Sequence, residues 1–177
     1  MGWLSAKSVG ERKSMAFKIF VSYSKHDKLR AERLAQQLLS TPINVYIAEH
    51  LVIQRRELPL PIARAIIECD LFVLIWSKHA QESECVQQEI GRASILNKPI
   101  LPLIQSERVE LPKYLRNLNY LLIGTDPIGS LYSARSLILA EYQRREQQRA
   151  MFTQENKDKD ALALMGIGAF LLWAFGE

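Results

Sequence analysis

Five short apolar runs punctuate the chain, and the stretches between them carry apolar residues at helical spacing. The runs are FKIFVSY at 17–23, VYIA at 45–48, LFVLIW at 71–76, PILPLI at 99–104 and YLLIG at 120–124. Each is strand-length, rich in Ile, Val, Leu or aromatics, and mostly without strict alternation, as in strands buried on both faces. Ala31, Leu34, Ala35 and Leu38 form a stripe in the first intervening stretch, and Ile62, Ala65, Ile66 and Cys69 in the second. Val86, Ile90 and Ala93 do so in the third, and Leu131, Ala134, Ile138 and Tyr142 in the last. This alternation predicts an α/β domain, a parallel sheet with right-handed crossovers and helices on both faces. Ligands on such sheets bind beyond the carboxyl ends of the strands, where neighbouring connections diverge. The segments to search are therefore Ser22–Asp27, Glu49–Glu57, Ser77–Glu84 and the loop after Ile104.

The 177 residues suffice for one domain of ordinary size plus a tail. With 23 Lys+Arg against 19 Asp+Glu the net charge is +4, and the basic residues are scattered, so no nucleic-acid partner is expected. Cys69 and Cys85 are the only two cysteines, too few for a disulfide scaffold or a four-thiolate zinc site, and they point to a reducing, cytoplasmic setting. Residues 1–15 are polar, lack the apolar run of a secretory signal, and are expected to form a flexible extension. The start MGWLSA is formally compatible with myristoylation of Gly2. After the last helix, 146–160 is expected to be a charged linker, followed by ALALMGIGAFLLWAF at 161–175, apolar on every side. Fifteen helical residues span roughly 22 Å, short of the ~30 Å hydrocarbon core. That segment is either a membrane tether, helped by bilayer thinning or flanking residues, or a helix that packs on protein.

Several enzyme classes drop out on motif grounds. No glycine-rich phosphate loop follows the first strand, which leads instead into SYSKHDK. His26, His50 and His79 follow different strands and lack metal-ligand spacing, so no metal is expected. What remains is an ordered set of four blocks: KIFVSYSKHDK, VYIAEHLVIQRREL, AIIECDLFVLIWS and SECVQQEIGRASILNKPILPLI. Together, over roughly residues 16–145, they resemble a TIR (Toll/interleukin-1 receptor) domain, especially of the bacterial and archaeal type. The resemblance implies a flavodoxin-like, five-stranded parallel sheet with helices on both faces.

TIR domains include NAD⁺-cleaving enzymes and inert adaptors. In the enzymatic branch the resemblance implies one catalytic Glu in a W-x-x-x-E stretch, which here reads Cys85-Val86-Gln87-Gln88-Glu89. Glu89 takes the glutamate position, at the edge of the Val86/Ile90/Ala93 stripe and expected half-buried. Its competing reading is an exposed Glu paired with Arg92. Cys85 replaces the family's Trp, removing an aromatic that would stack on the ligand. Trp76 either compensates or simply closes the core at a strand end. Tyr23, Ser24 and Lys25 are expected near the ligand, Lys25 meeting the diphosphate as a point charge or standing solvated. Ser22 and Asp27 read as structural, Asp27 as the N-cap of the first helix. Residues 49–58, beginning with Glu49, correspond to the family's BB loop, a segment for self-association or for another TIR protein. The implied activity is NAD⁺ glycohydrolysis, with NAD⁺ as substrate and no cofactor, giving an ADP-ribose or cyclic ADP-ribose type product in defence or cell-death signalling. The alternative is a non-catalytic TIR adaptor.

Overall fold

The structure, a computed structural model, describes the backbone of residues 16–48, 58–124 and 127–175, with side chains in the last segment over 129–155. It contains a five-stranded, all-parallel sheet in the order β2-β1-β3-β4-β5. The strands are β1 Phe17–Ser22, β2 Ile43–Ile47, β3 Leu71–Trp76, β4 Ile100–Ile104 and β5 Leu121–Leu122. All five overlap the apolar runs of the sequence, β2 beginning two residues before its run. The helices are α1 Lys28–Leu38, α2 Leu60–Glu68, α3 Lys78–Gln81, α4 Glu84–Ile95 and α5 Pro127–Phe175. The short α3 lies in a stretch expected to be loop, and Ser77 starts it by accepting the Ala80 N–H at 3.1 Å.

Strand pleating divides the core into two layers. On one face, Phe20 stands in register with Tyr46 and Phe72 and stacks on both, at centroid distances of 5.5 and 5.3 Å. Leu74 and Trp76 continue that face, which packs against Ile62, Ala65 and Ile66 of α2 and Val86, Ile90 and Ala93 of α4. Their neighbours Ile19, Val21, Val73 and Ile75 point the other way and are also fully buried. Ala31, Leu34, Ala35 and Leu38 of α1 are buried with them, and Arg135 near the start of α5 donates to the Gln37 carbonyl of α1 at 3.0 Å. The missing alternation in β1 and β3 thus has its physical cause: both faces are covered.

Local chemistry sets the element ends. Pro59 precedes α2 and Pro61 sits in its first turn, where a missing N–H costs nothing. α4 ends in a Schellman motif: Asn97 takes φ 50°, its N–H bonds the Ser94 carbonyl, and the Lys98 N–H bonds the Ala93 carbonyl. Lys98 then donates its ammonium to the carbonyls of Ile67 and Cys69, satisfying the C-terminal end of α2. Gly124, just past β5, lies so close to β4's exit that a Cβ there would fall 1.6 Å from the Gln105 carbonyl oxygen. Gly124→Ala is expected to destabilise the domain by about 2 kcal/mol or more, because the obstacle is backbone and cannot rotate away. Urea denaturation of the variant measures this.

The chain divides into two compact units, one ending at Leu137 and the other beginning at Ile138. Within the second, residues 146–160, expected to be a linker, are helical throughout. Gln, Arg, Glu, Ala and Lys dominate that stretch with no Gly or Pro. Pairs from Glu141 to Arg144 and Arg145, and from Glu146 to Arg149, sit at i,i+3 and i,i+4 spacing, each adding a few tenths of a kcal/mol. Among the described residues no helix is long and apolar enough to cross a membrane. The 1–15 extension with Gly2, the side chains of 161–175, and Glu49 with the rest of 49–57 lie outside the described residues.

Candidate active site

β1 and β3 are adjacent in the sheet, but β1's connection leads outward to β2 while the chain beyond β3 leads the opposite way to β4. This is the topological switch point, and the crevice outside their carboxyl ends is where such a sheet binds ligands. Glu89 reaches that place from α4. Its position in the helix groups it with Val86, Ile90 and Ala93, and the structure buries all four completely. Glu89 is therefore inside the apolar face, not at its half-buried edge, and it is not an exposed partner of Arg92. Ser22, the last residue of β1, donates its hydroxyl to Glu89 Oε2 at 2.6 Å. Burial pushes the Glu89 carboxyl up to about 8, against the opposing pull of the Ser22 hydrogen bond. A carboxyl so placed holds its proton at neutral pH and gives it up when a positive charge approaches.

A second carboxylate stitches the crevice together. Asp27, buried in the loop after β1, accepts the Ser24 hydroxyl at 2.6 Å and the Ser77 hydroxyl at 2.5 Å on one oxygen. Its other oxygen accepts Arg30 Nη1 at 2.9 Å. Asp27 does occupy the N-cap position of α1, but its side chain makes no capping bond. It instead joins the exit of β1 to the exit of β3. Above it the rings of His26 and His79 stack at 4.2 Å.

The remaining sequence-predicted residues separate into scaffold and surface. Tyr23 is buried and donates its hydroxyl to the Ala48 carbonyl at 2.6 Å, tying the β1 exit to the β2 exit. Ser24 is buried and committed to Asp27. Trp76 is 1% exposed with its indole N–H on the Glu110 carbonyl at 3.0 Å. It closes the core and does not stand in for the missing aromatic. Lys25 is solvent-exposed in a single 3-10 turn. Cys85 is exposed one turn before Glu89, its thiol pushed up by partial burial and then by the Glu89 and Glu84 carboxylates. Ser22 and Ser77 are the residues whose part in the site the sequence reading missed. Ser22 could have been flagged as a polar residue closing an otherwise apolar strand. Nothing in the sequence points from Ser77 to Asp27, 50 residues away. Among the described residues no group of three or more His, Cys, Asp and Glu side chains converges as a metal would require.

A parallel sheet in the order β2-β1-β3-β4-β5 with helices packed on it defines a flavodoxin-like α/β domain. The chain belongs to the TIR domain family, which residues 19–132 match. Among solved structures it is similar to the TIR domain of a Toll-related receptor from Hydra magnipapillata, with 15% identity and a TM-score of 0.53 over 70% of this chain and 97% of that one. It is also similar to the TIR domains of the activated Roq1 resistosome, which directly recognises the pathogen effector XopQ: 14% identity, TM-score 0.44, 56% of this chain and 61% of that one. A third is the CMP N-glycosidase BcmB of Clostridium botulinum, with 22% identity and a TM-score of 0.46 over 66% and 98% of the two chains. No curated protein matches the sequence.

Proposed function

We propose that this TIR domain is an NAD⁺ glycohydrolase in which Glu89 is the catalytic residue. The observation that carries the reading is a fully buried carboxyl at the switch point of the sheet, held by the Ser22 hydroxyl at 2.6 Å. In NAD⁺ the nicotinamide is already cationic. When the C–N bond to the ribose breaks, the electron pair leaves with the ring, which becomes neutral, and positive charge moves to the ribose. Such a departure needs no general acid, and one carboxylate suffices to hold the ribose and stabilise the oxocarbenium-like charge, in contrast to the carboxylate pair of ordinary glycosidases. Water then adds to the ribose with loss of a proton, or an internal nucleophile closes the ring to a cyclic product.

The charge of Glu89 sets the pH dependence. The carboxylate is the active form and its free-enzyme pKa lies at about 8. kcat/KM for nicotinamide release is therefore expected to rise about tenfold per pH unit below that value and to level above it. Ser22→Ala removes the hydrogen bond that favours the ionised form, and should move the rise to higher pH without abolishing it. A flat profile between pH 6 and 9 would count against Glu89 as the titrating group.

The direct test is nicotinamide release by the concentrated full-length protein with Glu89→Ala alongside. Release that depends on Glu89 supports the enzyme. Absence of release in folded, self-associated protein favours the adaptor, a reading supported by the exposed thiol of Cys85 where the family's Trp would stack. In either case we assign residues 49–58 to association with a second TIR domain, on the strength of their correspondence to the BB loop.

A further inference from the structure

A cavity of about 260 Å³ lies beside α1 and the 3-10 turn that precedes it, and Glu89 does not line it. His26, Leu29, Arg30 and Arg33 line it from one side, and Ile123 and Leu131 from the other. None of the six belongs to the core cluster that holds α2 and α4. The spacing 26, 29, 30, 33 is one face of a helical turn and its continuation, so α1 and the 3-10 turn before it bring three basic side chains to one opening. Ile123 and Leu131 close the cavity with little surface of their own, at 2% and 4% exposed, while Leu29 is 58% exposed. Among the described residues no acidic side chain lines the cavity. Asp27, the partner of the lining residue Arg30, is itself buried and already receives Ser24, Ser77 and Arg30. Arg30 gives it one donor out of the five a guanidinium carries. Arg33 is exposed and forms no ion pair among the described residues.

We propose that this cavity binds a phosphomonoester carrying an apolar or aromatic body, of the size of a nucleoside monophosphate. Two guanidinium forks and an imidazole are the donor set that planar, multidentate phosphate recognition uses. The exposed Leu29 supplies the apolar surface for the body, which covers a leucine otherwise left in water. The volume is below that usual for drug-sized ligands, which selects a mononucleotide-sized molecule over a dinucleotide. The site is separate from Glu89, and its occupancy does not depend on the activity proposed for that residue.

The test is calorimetric titration of the full chain with AMP, with adenosine and inorganic phosphate as partial probes. AMP is expected to bind saturably, phosphate more weakly, and adenosine not at all over the same range. Arg33→Glu and, separately, Leu29→Asp are expected to weaken AMP binding about tenfold or more, both being exposed positions whose change leaves the core intact. Glu89→Gln is expected to leave AMP binding unchanged. No saturation by AMP up to about 10 mM overturns the proposal, as does binding unaffected by both cavity variants. Loss of AMP binding in Glu89→Gln overturns it by placing the nucleotide at the other site. Phosphate binding as tightly as AMP overturns the apolar subsite.

Discussion

Glu89→Gln is expected to make the protein more stable at neutral pH, by about 3 kcal/mol at pH 7. The native carboxyl holds its proton up to about pH 8 because it is buried, while in the unfolded chain it ionises near its ordinary value of 4.5. Between those values the unfolded state binds fewer protons than the native state, so stability falls as pH rises. The loss begins near pH 4.5, grows through neutrality and saturates above about 8. An amide has no proton to lose and can still accept the Ser22 hydroxyl, so the variant escapes the whole decline. Denaturant unfolding at pH 5 and pH 8 separates the cases: wild type and variant should nearly coincide at the lower pH and diverge most at the higher one. Equal stability at both would mean that Glu89 is solvated in the native protein. The same variant is expected to lose nicotinamide release. Gain of stability with loss of activity is the signature of a residue held for function at a cost in folding free energy.

The second large effect is expected at Asp27. Asp27→Ala removes the acceptor of three hydrogen bonds and leaves the hydroxyls of Ser24 and Ser77 buried without it. Stranding buried donors costs more than the net worth of the bonds, and the expected loss is about 3–4 kcal/mol, a large part of a typical domain's stability. Arg30→Ala should cost much less, because its guanidinium is about one-third exposed and solvent-screened. Equilibrium unfolding of the two variants side by side checks the order. A loss of under about 1 kcal/mol for Asp27→Ala would show that the clasp between β1 and β3 is not what holds the crevice. Double substitution of Ser24 and Ser77 by Ala, which removes donors together with their need, should be milder than Asp27→Ala.

Much of this architecture was legible in the residues. Four of the strands lie within an apolar run and β2 overlaps its run from two residues earlier, because a strand buried on both faces must be apolar at consecutive positions. The buried residues of α1, α2 and α4 are the stripes that helical periodicity picks out, since 100° per residue leaves few ways to face a sheet. The same periodicity carries Glu89 into the core, although its charge suggests an edge position. Other features were misread for want of distant partners. Asp27 has the sequence look of an N-cap, and local chemistry gives no hint that two serines and an arginine claim its carboxylate instead. Trp76 could stack on a ligand or fill the core, and only its position above α2 and α4, with Glu110 taking its N–H, settles it as core.

The division follows the range of the forces involved. Strand and helix assignment, the Schellman end of α4 and the prolines of α2 depend on neighbours within a turn or two, and so the amino-acid sequence alone determined them. The site depends on contacts between residues far apart in the chain: Ser22 with Glu89 across 67 positions and Asp27 with Ser77 across 50. Whether a carboxyl ionises, caps or clasps is decided by what the fold brings within 3 Å of it and by how much water the fold removes. Those are properties of the packed sheet, and only the tertiary structure could supply them.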